Sequence, residues 1–219
     1  MTLHHSLSRF FRVFSLIAVT ASLPYGAYAE DTAEANTAKQ KVDLLSPLEG
    51  DHLAGDPNAP VLVIEYASLS CTHCAHFYND TYPALKEKYI DTGKAAFIYR
   101  HYPLNEPALR GAMLAECSGD KFHTFLKVLF RSQDKWAFTE DFMSALRGLA
   151  NVGGISNSAF DDCMTDKELE DKIISGLKWA ADDLQVESTP TLFINGEKVS
   201  GSRNIEELST IIDSKTSAK

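Results

Sequence analysis

Runs of apolar residues divide the chain into segments with strand character and segments with helical character. The run from Val61 to Ala67, which only Glu65 interrupts, predicts a buried strand, because a strand covered on both faces needs no alternation. Residues 94–100 predict a second strand, and the segment from Phe77 to Ile90 between them has helical spacing. Pro83 lies inside that segment and should kink it, because proline lacks a backbone N–H.

The middle of the chain lacks the alternation of strands. Helical patterns cover residues 108–117, 121–130, 139–149, 157–164 and 167–184. Strand character returns at 191–194 and 198–200 around the hairpin dipeptide Asn195-Gly196, and residues 204–214 form a final helix. The predicted order is therefore strand, helix, strand, helical block, hairpin and helix.

The first 29 residues have the features of a secretory signal. Arg9 and Arg12 precede an apolar stretch that runs from Val13 to Leu23, and small residues lead up to a cleavage site after Ala29. A membrane-spanning helix needs roughly 17–25 apolar residues, so a cleaved signal is favoured over an uncleaved anchor. Residues 30–54 are expected to form a flexible leader, because Ala, Thr, Lys and acidic residues dominate its first part without apolar periodicity.

Charge and export narrow the possible functions. The 219 residues include 21 basic and 30 acidic side chains, for a formal net charge of −9. An acidic, exported protein is a poor candidate for binding nucleic acid, and none is expected as a partner. Export also changes the meaning of the four cysteines, because disulfides persist in oxidising compartments.

The segment Cys71-Thr72-His73-Cys74 joins the first strand to the first helix. At a helix N-terminus, free backbone N–H groups and the helix dipole stabilise the thiolate of the first cysteine. The thiolate is the nucleophile of thiol–disulfide exchange, so the motif predicts this chemistry. The alternatives are a structural disulfide or half of a zinc site. His73 and His76 are close enough to serve as further zinc ligands, but the chain has no second CxxC. We therefore expect neither a metal nor a cofactor.

Three further features carry candidate chemistry. Glu65 could be a buried carboxylate near Cys74 whose raised pKa suits it to carry a proton, or a strand-end acid that reaches solvent. His73 could stabilise the Cys71 thiolate, or it could be a solvated histidine at the start of the helix. A cis Thr189–Pro190 bond would turn the proline towards the CxxC and leave the Thr189 backbone for a bound peptide, although most such bonds are trans.

The combination of these motifs resembles the DsbA family of periplasmic thiol–disulfide oxidoreductases. The resemblance runs from about Gly55 to Ser214, and it rests on Glu65 with the CxxC, the helical block, and the run from Thr189 to Gly196. It implies an α/β, thioredoxin-like fold with a helical domain inserted between its two halves. The thioredoxin-like domain would comprise residues 55–105 and 184–216, and the insertion residues 106–183.

The resemblance also implies roles for individual residues. Cys71 would be the nucleophile, Cys74 the resolving thiol, Glu65 the buried acid and Pro190 the cis-proline opposite them. Substrate would bind along an apolar surface formed by three residues and the loop that precedes the cis-proline: Leu69, His73, Phe77 and Thr189.

The implied function is the introduction of disulfides into exported cysteine-containing proteins in the periplasm. A quinone-linked thiol oxidase of the membrane would reoxidise the enzyme, which is expected to be monomeric. The Thr-His dipeptide of the CxxC and Thr189 depart from the best-known oxidases of the family, so a disulfide isomerase or reductase is the first alternative. A chaperone or binding module with a structural CxxC is the second.

The two remaining cysteines, Cys117 and Cys163, fall in the helical block. With two cysteines committed to the CxxC, one even pair is left in an oxidising compartment, which predicts a structural disulfide between them. The alternative is two separate buried thiols, which behave as small apolar residues.

Overall fold

The computed structural model describes residues 45–216, and its centre is one five-stranded sheet in the order β1-β3-β2-β4-β5. Only β2 and β3 run parallel, and the other three pairs of neighbours are antiparallel. The strands are β1 (Leu53–Ala54), β2 (Val61–Ala67), β3 (Ala95–His101), β4 (Thr191–Ile194) and β5 (Glu197–Ser200). The two parallel strands occupy the middle of the sheet, where both faces are covered and continuous apolar runs are favoured.

One helical run crosses from β2 to β3 and is called the CxxC helix here. It comprises α1 (Thr72–His76), a π-helical segment (Phe77–Thr81), α2 (Tyr82–Leu85) and a second π-helical segment (Lys86–Ile90). The N–H of Tyr82 reaches back to the carbonyl oxygen of Phe77, five residues earlier, directly before Pro83. The wider turn accommodates the missing N–H of the proline, and the helical run continues past it.

A block of helices lies between β3 and β4. It contains α3 (Glu106–Cys117), a 3-10 turn (Gly119–Lys121), α4 (Phe122–Arg131), α5 (Gln133–Trp136), α6 (Phe142–Val152), α7 (Asn157–Thr165) and α8 (Lys167–Asp182). The final helix, α9 (Ile205–Thr216), follows the hairpin. This arrangement confirms the expected fold class, a thioredoxin-like fold with a helical insertion.

The predicted flexible leader, residues 30–54, is wrong at its end. Leu53 and Ala54 pair with Ile98 and Phe97 of β3 as an edge strand. A two-residue strand is too short to show the alternation by which a strand is predicted from sequence. The predicted signal peptide lies outside the described residues. Within residues 45–216, no helix is long and apolar enough to cross a membrane.

Apolar side chains pack on both faces of the sheet. The larger cluster joins the inner side of the CxxC helix to the inserted helices through Phe77, Tyr89, Leu126 and Trp136. A smaller cluster on the other face contains Ile64, Ile98 and Phe193. The C-terminal end of β2 therefore lies between two packed layers, and it is from this end that the CxxC emerges.

Candidate active site

Cys71 is the N-cap residue of α1, with extended backbone angles of φ −83° and ψ 122°. Its Sγ lies 3.4 Å from the backbone nitrogen of Cys74, so the sulfur accepts one of the N–H groups that a helix start leaves unpaired. The same sulfur lies 3.4 Å from the carbonyl oxygen of Thr189, across the cleft from the helix. Cys71 is only half buried, whereas Cys74 is fully buried.

Hydrogen bonds to the sulfur lower the pKa of Cys71 to about 5. The largest contribution is a bond from the Cys74 thiol, which partial burial opposes. The Thr189 side chain and the backbone N–H groups of Cys74 and His73 act in the same direction as the Cys74 thiol. Cys71 is therefore a thiolate at neutral pH, which is the state that thiol–disulfide exchange requires.

Cys74 has the opposite chemistry. Burial, its hydrogen bond to Cys71 and the negative charge of Glu65 together raise the pKa of the Cys74 thiol. Cys74 therefore stays protonated when Cys71 is ionised. The two sulfurs differ in the way expected of an attacking cysteine at the surface and a shielded partner one turn into the helix.

Glu65 lies in the middle of the sheet, where it pairs in register with Tyr99 of β3 and Leu192 of β4. It is fully buried, and neither carboxylate oxygen has a hydrogen-bond partner within residues 45–216. Burial raises the pKa of Glu65 well above its ordinary value, and the negative charge of Cys71 raises it further. Burial and the charge of Cys71 therefore favour the protonated form of this carboxyl group, and the solvent-exposed alternative is wrong.

The loop before β4 closes the other side of the cleft. The Thr189–Pro190 peptide bond is cis, as expected, and Pro190 is buried while Thr189 is half-buried. The Thr189 carbonyl oxygen faces Cys71, and the Pro190 carbonyl oxygen accepts a hydrogen bond from Gly201 at 2.8 Å. The hairpin thus holds this loop against the CxxC.

Gln133 is a site residue that the sequence did not indicate. Its side-chain Nε2 donates to the carbonyl oxygens of Leu69 at 2.7 Å and Cys71 at 3.0 Å, and the residue is buried. Gln133 begins α5, a four-residue helix with too few turns to show periodicity. The inserted helices therefore hold the backbone of the CxxC loop directly.

Two predicted substrate contacts are wrong. Leu69 and Phe77 are 1% and 0% exposed, because Leu69 packs in the interior beside Trp136 and Phe77 lies on the inner side of the CxxC helix. His73 is exposed, and its backbone N–H contacts the Cys71 sulfur. Leu104, which is 56% exposed and whose N–H donates to Ser68 Oγ, places an exposed apolar side chain at this end of β2.

A second cysteine pair lies in the inserted helices. Cys117 and Cys163 form a disulfide between α3 and α7, with a Cα–Cα distance of 6.2 Å. The predicted bridge is present, and the alternative of two separate thiols is wrong. Among the described residues, no cluster of three histidine, cysteine or acidic side chains could hold a metal ion.

Comparisons with known proteins agree with this geometry. The family described as Thioredoxin matches residues 48–214. A Rickettsia felis protein that is named as a protein-disulfide oxidoreductase is 31% identical over 167 residues, which is 75% of this chain but only 60% of that protein. The chain thus spans about 60% of the length of this curated relative.

Solved structures cover the chain more completely. Wolbachia pipientis alpha-DsbA1 is 36% identical, with a TM-score of 0.76, and the match covers 80% of this chain and 95% of that one. BdbD from Bacillus subtilis, in its oxidised form, matches with a TM-score of 0.67 at 22% identity and covers 79% of this chain and 96% of that one. At that identity the second match supports the fold alone.

Proposed function

This chain belongs to the DsbA family of thioredoxin-like proteins, and from this premise we propose that it is a protein-disulfide oxidoreductase that introduces disulfides into exported proteins. The observation that carries the proposal is the pairing of a half-exposed Cys71, with a pKa lowered to about 5, and a buried Cys74 with a raised pKa. A structural disulfide needs no such difference between its two sulfurs.

The proposed reaction proceeds through one mixed disulfide. A substrate thiolate attacks Sγ of Cys71 in the oxidised enzyme, the Cys71–Cys74 bond breaks, and the Cys74 sulfur leaves with the electron pair. Because its pKa is raised, Cys74 takes up a proton, and the buried Glu65 carboxyl group supplies it. A second substrate thiolate then attacks the substrate sulfur, and Cys71 leaves as a stable thiolate. Two electrons pass from the substrate to the enzyme.

The direction of electron flow follows from the leaving group. Stabilising the Cys71 thiolate stabilises the reduced enzyme, so the Cys71–Cys74 disulfide becomes a stronger oxidant. This favours an oxidase over the isomerase or reductase alternatives. We propose that the protein works in the periplasm after cleavage near Ala29, as a monomer, and that a quinone-linked thiol oxidase of the membrane restores its disulfide.

Other residues would position the substrate. The Thr189 backbone and Pro190 line the cleft opposite Cys71, where an extended peptide could pair with the loop. Exposed His73 and Leu104 would contact the substrate in place of the buried Leu69 and Phe77. The Thr189 carbonyl oxygen, 3.4 Å from the half-exposed Cys71 sulfur, supports a site for an unfolded chain.

The proposal is tested by the redox potential of the Cys71/Cys74 couple and by disulfide transfer to a reduced, unfolded protein. We expect a potential far above about −300 mV, together with stoichiometric transfer that leaves the enzyme reduced. A potential below about −300 mV with no transfer would instead assign the CxxC to a structural disulfide.

A further inference from the structure

A groove beside the CxxC helix carries a positive charge that the proposed reaction does not use. It has a volume of about 220 Å³ and lies between the CxxC helix and α4. Each helix contributes a row of side chains four residues apart, and these six residues define what is called the basic groove here: Tyr78, Tyr82, Lys86, His123, Lys127 and Arg131. None of the residues that line the groove is acidic, in a chain whose net charge is −9.

The floor of the basic groove is aromatic. The rings of Tyr78 and Tyr82 stack with their centroids 4.7 Å apart, and Tyr78 also stacks on Phe130 at 4.8 Å. Both tyrosines are more than nine-tenths buried. Such a floor can hold the aliphatic part of a side chain while its charged end reaches the rim.

Two cations of the rim are available to a ligand. Lys86 already pairs with Asp91. Within residues 45–216, by contrast, Lys127 and Arg131 form no ion pair, and both are exposed. An arginine and a lysine one helical turn apart fit a carboxylate, because a guanidinium offers a planar fork of donors.

The basic groove lies close to the reactive sulfur. Tyr78 is seven residues along the CxxC helix from Cys71, which is about 10 Å at about 1.5 Å per residue. At the other side, Arg131 precedes Gln133 by two residues, and Gln133 donates to the Cys71 carbonyl oxygen. An extended peptide advances about 3.3 Å per residue, so about three to five residues separate a cysteine held at Cys71 from the groove.

We infer that the basic groove selects substrates that carry an acidic side chain about three to five residues from the reacting cysteine. The inference rests on the proposed function, since it concerns the polypeptide that exchanges with Cys71. The carboxylate would lie between Lys127 and Arg131, with its aliphatic carbons against Tyr78. The protein as a whole repels acidic segments, and this groove supplies local attraction beside the active site.

The test uses pairs of peptides that differ only by Glu or Gln, with that residue moved from two to six positions away from the cysteine. Versions with serine in place of cysteine report binding alone, through NMR shifts of the isotope-labelled protein. The groove variant carries Lys127→Gln and Arg131→Gln. The control variant carries Lys94→Gln and Lys178→Gln, so it has the same net charge, but its substitutions replace exposed lysines outside the groove.

We expect the unmodified protein to favour the Glu peptide by about three- to tenfold, in binding and in kcat/KM, within the three-to-five window. The groove variant should lose the preference, while the Lys94/Lys178 variant keeps it and high salt weakens it. The Cys71 pKa should not change in either variant.

Equal binding of the Glu and Gln peptides by the unmodified protein would overturn the inference, as would a preference that survives in the groove variant. Oxidation of the cysteine peptides tests the proposed function separately from the groove. If the serine peptides bind with the expected preference but the cysteine peptides are not oxidised, the groove stands and the proposed function fails.

Discussion

The two cysteine pairs of this protein lie at different ends of their helices. The CxxC pair lies at a helix N-terminus, and the Cys117–Cys163 pair lies at the C-terminal ends of two helices. Cys71 caps the N-terminus of α1, where N–H groups face its sulfur. Cys117 is the last residue of α3, and Cys163 lies two residues from the end of α7. The N-terminal end of a helix dipole stabilises a thiolate, whereas the C-terminal end destabilises it. A disulfide between two C-terminal ends therefore has poorer leaving groups than one at an N-terminus.

Exposure does not separate the two pairs. Cys117 is exposed and Cys163 is buried, much as Cys71 is half-exposed and Cys74 is buried. What differs is the set of groups around the accessible sulfur. The local hydrogen bonds of a cysteine, more than its accessibility, therefore decide whether its disulfide can cycle.

The largest expected effect is on exchange itself. Cys71→Ser should abolish disulfide transfer to a reduced protein. Cys74→Ser, incubated with an unfolded protein that carries a disulfide, should accumulate mixed disulfides, because the Cys71 thiolate attacks that disulfide and no Cys74 thiol remains to displace Cys71. Non-reducing electrophoresis reports both results. Alkylation of Cys74 before Cys71 in the reduced protein would reverse the two assignments.

Removal of the second pair should affect stability and leave exchange intact. The bridge closes a separation of 46 residues, for which chain entropy gives about 4 kcal/mol of unfolding free energy. We expect Cys117→Ala with Cys163→Ala to lose up to this amount in urea denaturation and to transfer disulfides at the original rate. Mild reduction of the unmodified protein should free only Cys71 and Cys74, and release of all four thiols together would contradict the comparison.

Glu65 should affect the buried member of the first pair alone. Glu65→Gln removes the proton carrier, so steps at Cys74 should slow by up to about a hundredfold, while exposed Glu187→Gln serves as a control. Because the folded-state pKa of Glu65 is raised, its favourable contribution to the unfolding free energy is complete below the unfolded-state pKa and is lost as pH rises from there through the folded-state pKa. The stability of the variant relative to the unmodified protein should therefore increase as pH rises. Unchanged Cys74 kinetics would remove this role.

Gln133 connects the inserted helices to the first pair. Gln133→Ala would leave the Leu69 carbonyl oxygen without its donor, at a cost of about 1–3 kcal/mol, and would loosen the loop that directs N–H groups at Cys71. We expect a higher Cys71 pKa, measured by the ultraviolet absorbance of the thiolate. Gln185→Ala, at an exposed glutamine, should leave that pKa unchanged. A Gln133 variant that is less stable but titrates normally would have a structural role only.

The sequence predicted the strands, the insertion and the reactive pair because each leaves a local signal. β2 is an apolar run, the hairpin carries Asn195-Gly196, and the CxxC has fixed spacing. Gln133 left no such signal, because its role depends on hydrogen bonds to Leu69 and Cys71. These partners lie 64 and 62 positions before it in the chain. The burial of Leu69 and Phe77 likewise depends on where the inserted helices pack. Long-range packing is what the sequence pattern does not contain.

The smallest expected effect is a pH dependence that only the first pair has. The Cys71 pKa falls from 9.0 to about 5 on folding, so the reduced protein gains stability that is complete above pH 9 and is lost as pH falls to about 5. The oxidised protein has no Cys71 thiol and no such contribution. The difference in unfolding free energy between the reduced and oxidised forms should therefore shift towards the reduced form as pH rises from 5 to 8. Solvent screening at the half-exposed sulfur keeps the change modest.

Urea denaturation of both forms in the Glu65→Gln background isolates the contribution of Cys71, and the Cys117–Cys163 bridge stays closed throughout. Parallel pH profiles for the two forms would mean that the helix N-terminus does not stabilise the thiolate.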